Sequence, residues 1–214
     1  MKNLSIILPT INESENLKIL IPQIINELRV IENFSFEILV IDDQSTDNSE
    51  EVVLNLIQSF ENIKFISRTN PPSLPMSIYE GIEKSKYEYV MWLDADGSMP
   101  AVDIIKLVFN QIKYPESIII GSRFVEGGGY KGATVSKNSS FMSSLKNIYN
   151  SEDSILAVIL SRYFNILLRN ILGVSVKDIT SGFIVGKKIY FNKQPFLNSS
   201  YGDYFIHLLK DIDK

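Results

Sequence analysis

The chain has no cysteine, which excludes a disulfide framework and any thiolate metal site, and which fits a reducing compartment. Its single histidine, His207, sits on a short late segment. With no G-x-S-x-G elbow anywhere, a Ser-His-Asp hydrolase lacks its parts, and His207 reads as a surface or packing residue. No G-x-G-x-x-G follows the first apolar run and no G-x-x-x-x-G-K-[ST] is present, so neither a dinucleotide dehydrogenase nor a P-loop enzyme is indicated. Long apolar runs are missing too. A membrane-spanning helix needs about 20 predominantly apolar residues, and the nearest stretch, 155–172, is interrupted by Arg162 and Arg169. The opening residues 1–10 carry one lysine and an apolar run that stops at Pro9. The expectation is therefore no secretory signal and a cytoplasmic location.

A formal net charge of −4 over 214 residues argues against a nucleic-acid partner. The charge is unevenly spread, with 10 basic against 19 acidic side chains in residues 1–130 and 9 against 3 in 131–193. Either this is ordinary solvated surface, or the basic part meets an anionic acceptor or an anionic membrane surface. With 45% hydrophobic and 21% charged residues the chain has the make-up of one folded domain with its own core.

Short β-branched runs alternate with helical periodicity over the first ~120 residues, the pattern of an α/β protein whose parallel sheet is covered by helices. Strands are expected at 4–8, 37–41, 63–67, 89–93 and 117–121. Helices are expected from Leu17 to Ile31, around Val52 to Phe60, at 77–85 and at 104–112. Pro22 should kink or delay the first helix, and Asn12, with Glu15 three residues later, suits its N-cap. Residues 131–153 are polar, serine-rich and weakly periodic, and read as a loop. Residues 155–172 read as an amphipathic helix that Gly173 is placed to end. Along it Ile155, Leu156, Ile159, Tyr163, Ile166, Leu167 and Asn170 follow helical spacing, so the helix either buries against the sheet or a partner or, with Arg162, Arg169 and Lys177, meets a bilayer surface without crossing it.

An open parallel sheet binds its ligand beyond the carboxyl ends of its strands, and three polar clusters fall there: Pro9 to Glu13, Asp42-Asp43, and Asp94-Ala95-Asp96. Asp94 and Asp96 flank one small residue directly after a strand, so both can offer oxygens to one hard cation, Mg²⁺ or Mn²⁺, bridging to a diphosphate. Asp42 and Asp43 can accept hydrogen bonds from a ribose or a base edge, or cap the helix that follows. Asn12 and Glu13 carry the same two readings.

Taken together, residues 7–13, 40–47, 94–96, 120–124 and 178–183 resemble the family 2 inverting glycosyltransferases, nearest the polyprenyl-phosphate (dolichol-phosphate) mannosyl- and glucosyltransferases. The resemblance implies a GT-A fold, Rossmann-like and single-domain over 1–214, with residues 1–123 as the nucleotide-sugar half and 124–214 as the acceptor side. It implies a UDP- or GDP-sugar donor, with Pro9, Thr10, Asn12, Glu13, Asp42 and Asp43 lining the nucleoside pocket and Asp94 and Asp96 serving metal and diphosphate. Arg123 and Arg162 would hold the phosphate of a polyprenyl phosphate acceptor, for which a guanidinium fork is the right shape. Asp178 and the Ser181-Gly182 turn would stand near the sugar, and Asp203 would face the site, serving as base if the acceptor were a hydroxyl. The enzyme would work on the cytoplasmic face of a membrane as a peripheral protein. Two departures from the family pattern stand out: Gly97-Ser98 after Asp96, and the proline-rich 71–76 in place of a glycine-rich segment.

Overall fold

Three β-branched runs pair in parallel and set the frame: β1 (Asn3–Thr10), β2 (Ser35–Asp42) and β3 (Ile63–Ser67). The computed structural model describes residues 1–125, 129–130, 133–134, 155–174 and 176–212, with backbone alone for 129–130, 133–134 and 155–162. Between the strands run α1 (Ser14–Leu28), α2 (Ser49–Ser59) and α3 (Leu74–Lys84). Next, β4 (Tyr89–Trp92) pairs in parallel with β1 on its other side, followed by α4 (Ala101–Lys113) and the short β5 (Ile119–Ile120). A two-stranded ribbon, β6 (Gly129–Tyr130) and β7 (Ala133–Thr134), precedes α5 (Ile155–Leu172). Then come β8 (Ile184–Lys187), α6 (Gln194–Leu197) and α7 (Tyr204–Ile212). The six-stranded sheet has the order β3-β2-β1-β4-β8-β5, a mostly parallel sheet with helices on both faces.

Alternation along the strands sorts the core into two layers. Leu4, Ile6, Leu8, Ile38 and Val40 face α1, α2 and α4 in one cluster. Ile7, Leu39, Ile41, Val90 and Trp92 face α3, α6 and α7 in the other. The first helix runs through Pro22 without stopping: Leu17, Leu20, Ile21, Ile24, Ile25 and Leu28 are all buried, and that apolar face offsets the hydrogen bond Pro22 cannot donate.

Two expectations need correction. The sequence places a strand at 117–121 after β4 and α4, and β5 lies within those bounds and runs parallel to β4, but not as its neighbour. Instead β8 enters between β4 and β5, antiparallel to both. The chain reverses into it at Gly182, whose φ of +64° glycine adopts without a Cβ penalty. The second correction concerns α5. Among its described side chains Tyr163 (70% exposed), Phe164, Ile166, Leu167 and Ile171 face outward. Inward, Leu168 and Leu172 pack against the second core cluster, and buried Asn165 bonds the chain at 177–179. Of the expected stripe, Tyr163, Ile166, Leu167 and Asn170 therefore do not bury against the sheet, and the side chains of Ile155, Leu156 and Ile159 lie outside the described residues. Gly173, with φ +70°, ends the helix as expected. The 131–153 loop lies outside the described residues apart from Ala133 and Thr134 in β7.

Candidate functional site

The strand register builds the site. Thr10 of β1 pairs with Asp42 of β2, and Asp42 with Ser67 of β3, so three parallel strands end abreast. The residues just beyond them, Ile11, Asp43 and Arg68, therefore emerge side by side at the carboxyl edge. On the other side of β1, Ile7 pairs with Trp92, which places Asp94 at the same edge. Because β8 is antiparallel, its entry turn, Thr180 to Gly182, also arrives there. A cavity of about 450 Å³ runs across this edge, lined among others by Pro9, Thr10, Glu13, Asp43, Ser73, Asp94, Asp96, Thr180, Gly182, Tyr201 and Tyr204.

At one end, Asp43 is buried and tied by Arg68, which forms an ion pair with it, and by the backbone N–H of Ser73. Arg68 is itself buried, bonding Glu80 through Nε at 3.2 Å and Ser77 Oγ through Nη1 at 3.1 Å. Farther along, Asp94 lies beside Asp96 and Glu13. Burial first, then the charges of Asp96 and Glu13, push its carboxyl up to about 6. Among the described residues no lysine or arginine pairs with Asp94 or Asp96. Beside Asp94 the Trp92 Nε1–H donates to the Tyr204 hydroxyl at 3.1 Å. Burial, with the Asp94 charge second, pushes that phenol above its ordinary value, so it is neutral at physiological pH.

Of the residues singled out from sequence, Pro9, Thr10, Glu13, Asp43, Asp94 and Asp96 line this cavity together with the Ser181-Gly182 turn. Others do not. Asn12 adopts φ +57° and turns its Oδ1 to the N–H groups of Thr46 (2.7 Å) and Asp47 (3.3 Å), so it neither lines the cavity nor caps α1, whose N-cap is Glu13. Asp42 is buried beneath the edge, where it accepts from the Ser45 N–H at 3.1 Å.

Asp178 lies outside the lining as well, fully buried and gripped by Arg123 through Nε (2.9 Å), Nη2 (3.0 Å) and the backbone N–H (3.1 Å). Burial raises the Asp178 carboxyl, but the Arg123 hydrogen bonds and charge, with the Thr180 N–H, outweigh it and hold the group below its ordinary value. That edge of the Arg123 fork is thus committed within the protein. Asp203 is exposed and accepts from the N–H groups of Ser200 and Tyr201, a turn-closing role at the start of α7 rather than one inside the cavity. Arg162 lies on α5 with its side chain outside the described residues.

Sequence reading missed Arg68, Ser73 and Tyr204. Arg68 follows a strand end directly, the same signal that singled out Asp43 and Asp94. Tyr204 directly follows Asp203, but nothing local marks it.

The model of the family described as "Glycosyl transferase family 2" matches residues 5–194. The chain belongs to glycosyl transferase family 2. Within that family it is 36% identical over 124 residues to a dolichol-phosphate mannosyltransferase of Pyrococcus furiosus, a match covering 58% of this chain and 34% of that one. It is 32% identical over 131 residues to the poly(ribitol-phosphate) beta-N-acetylglucosaminyltransferase TarP of Staphylococcus aureus, covering 60% and 39%. These matches thus span well under half of the relatives' own length. Among solved structures, glucosyl-3-phosphoglycerate synthase from Mycobacterium tuberculosis in complex with Mn²⁺ and uridine-diphosphate-glucose superposes with a TM-score of 0.55 at 13% identity, over 99% of this chain and 67% of that one. At that identity the likeness establishes the shared GT-A fold. Relatives named as dolichol-phosphate glycosyltransferases support the polyprenyl-phosphate branch of family 2.

A divalent cation fits these residues. Among the described residues Asp94 and Asp96 present neighbouring carboxylates with which no lysine or arginine pairs, and no cluster of three or more ligating side chains forms. Two carboxylates with the remaining positions left to phosphate oxygens and water is how Mg²⁺ is commonly held at phosphate-binding sites.

Proposed function

We propose that the chain transfers a hexosyl group, with inversion, from a UDP- or GDP-sugar to a polyprenyl phosphate. The observation that carries this reading is the order of groups along the cavity: buried, Arg68-anchored Asp43 at one end, the Asp94/Asp96 pair next, and the Gly182–Tyr204 wall beyond. A nucleoside diphosphate sugar has the same linear order. Residues 1–123 supply the nucleotide end, and residues 124–214 add the wall on the acceptor side.

In this reading Asp43 accepts hydrogen bonds from the base, and the buried Arg68 holds its carboxylate in place. Asp94 and Asp96 would hold Mg²⁺ or Mn²⁺, which supplies charge neutralisation for the departing diphosphate. The acceptor phosphate is already ionised, so it attacks the anomeric carbon directly, one C–O bond forming as the bond to the nucleoside diphosphate breaks. No general base is required, and Asp203, which lies off the cavity, is not assigned one. The protein's work is positioning and charge placement. Arg123 fixes the 178–180 turn through Asp178 and Thr180, and we assign Arg123 and Arg162 to the acceptor side.

Such an acceptor is met at a bilayer. Among the described residues no helix is long and apolar enough to cross one, but the outward Tyr163, Phe164, Leu167 and Ile171 of α5 suit interfacial contact on the cytoplasmic face. The similarity to TarP supports a second reading, a saccharide hydroxyl acceptor at the same donor site.

A thermal-shift series tests the donor site. UDP-glucose, UDP-N-acetylglucosamine or GDP-mannose with Mn²⁺ should raise the melting temperature, since ligand at a hundredfold its Kd adds about 2.7 kcal/mol. Asp96→Ala should abolish the metal-dependent part. Curves identical to buffer for every nucleotide sugar would sink the donor reading. Transfer assays with a polyprenyl phosphate and with a poly(ribitol phosphate) then separate the two acceptors.

A further inference from the structure

The hydrogen-bonding of Tyr204 is incomplete in an informative way. A phenol offers one O–H donor and acceptor lone pairs. The Trp92 Nε1–H occupies an acceptor position at 3.1 Å, which directs the O–H elsewhere. Tyr204 is only 3% exposed, yet its side chain forms part of the cavity wall. Among the described residues no acceptor takes its proton, and no hydrogen bond joins it to Asp94. Buried polar groups ordinarily find a partner, so this donor is set up for one that the described residues do not supply.

Its placement is fixed rather than incidental. The ring stacks on Phe196 (centroids 5.7 Å apart, planes at 21°) and meets Phe205 edge-on at 6.0 Å and 82°. The indole that holds its oxygen belongs to β4, two residues before Asp94. Facing it is Gly182: a Cβ built there would lie 3.6 Å from the Tyr204 oxygen and 4.0 Å from Asp94 Oδ2. The hydroxyl, the glycine and the carboxylate therefore surround one small volume beside Asp94, where β4 and the entry to β8 meet the edge two strands from β2 and Asp43.

We propose that Tyr204 is a sugar-contacting residue, its O–H donating to an oxygen of the transferred hexosyl unit. This rests on the donor-site reading above: with the nucleoside at Asp43 and the diphosphate at Asp94 and Asp96, what remains for the Tyr204 end is the sugar. Selection among hexoses follows from the same contact, because a neutral donor held rigidly rewards an oxygen at one position and orientation on the ring.

The test compares ligands with and without the sugar. Calorimetric titration of the wild-type chain and of Tyr204→Phe would use UDP and UDP-glucose, and GDP and GDP-mannose, each with Mn²⁺. Tyr204→Phe should weaken the nucleotide sugar by about tenfold, the worth of one neutral hydrogen bond, and leave the nucleoside diphosphate unchanged. Since this variant strips Trp92 of its acceptor, the double variant Trp92→Phe/Tyr204→Phe removes donor and acceptor together and should show the same sugar-selective loss. Equal weakening of diphosphate and nucleotide sugar, or no change in either, would overturn the assignment while leaving the donor site standing. Wild-type protein that binds none of the four would overturn the assignment and the donor reading together.

Discussion

Arg68 and Asp43 form a buried ion pair that fastens the end of β3 to the end of β2. It follows from the register, since Asp42 and Ser67 are paired residues and the next position on each strand projects over the sheet edge. Each charge is nearly inaccessible to water, so neither tolerates loss of the other.

Arg68→Met is expected to destabilise the fold by about 3 kcal/mol or more, because it leaves the Asp43 carboxylate buried without its cation. Chemical denaturation measures this directly. Nucleotide affinity should fall as well. The combined Arg68→Met/Asp43→Leu change should recover much of the stability and none of the binding. A single variant as stable as wild type would show that the pair is not closed in solution.

Metal and donor affinity should rise steeply between pH 5 and 7, because the raised Asp94 carboxyl, at about 6, must lose its proton to ligate a cation. Stability of the ligand-free protein should move the other way. Between about pH 4 and 6 the folded state holds a proton at Asp94 that the unfolded chain has released, so unfolding free energy falls as pH rises. The contribution is about 3 kcal/mol by pH 7. Asp94→Asn should flatten both profiles. Mn²⁺ titrations and urea melts from pH 4.5 to 7.5 check the two signs.

Much of this arrangement was legible in the sequence. The third strand was read with the bounds it has, 63–67, since a β-branched run between two turn signals has few alternatives. Asp94 and Asp96 were legible because a strand runs directly into them. β8 was not, because a four-residue strand containing Gly186 carries little periodicity, and its antiparallel insertion is decided by packing between β4 and β5. Tyr204 was hidden for a related reason: its partner Trp92 lies 112 residues away, a contact that only the folded sheet creates. Asn12 looked like a helix cap because its residue type suits one. The structure spends it on a left-handed turn that braces the 45–47 loop.

Gly81→Ala should destabilise the protein by about 1–2 kcal/mol, although alanine is the better helix former by up to about 1 kcal/mol. Gly81 lies in α3 where that helix crosses the sheet. A Cβ there would collide with Cγ2 of fully buried Ile7 and stand 3.2 Å from Cγ1 of Ile41. Overpacking therefore exceeds the gain in propensity. Equilibrium unfolding of the variant decides it, and an unchanged midpoint would mean that α3 sits farther from the sheet.

Sedimentation with liposomes should show the chain binding anionic vesicles at low salt and retaining part of that binding at high salt. Arg169 and Lys177 lie in the basic part of the chain, and each basic residue near an anionic leaflet contributes about 1 kcal/mol, a term that salt screens. The outward Tyr163, Phe164, Leu167 and Ile171 add apolar contact that salt does not screen. Two variants separate the terms. Phe164→Ser/Leu167→Ser should abolish the salt-resistant fraction with little cost to folding, since both side chains are already more than half exposed. Lys177→Gln, at an exposed position, should lower only the low-salt fraction. Absence of binding to anionic vesicles at low salt would exclude attachment through this helix and would favour the saccharide hydroxyl acceptor.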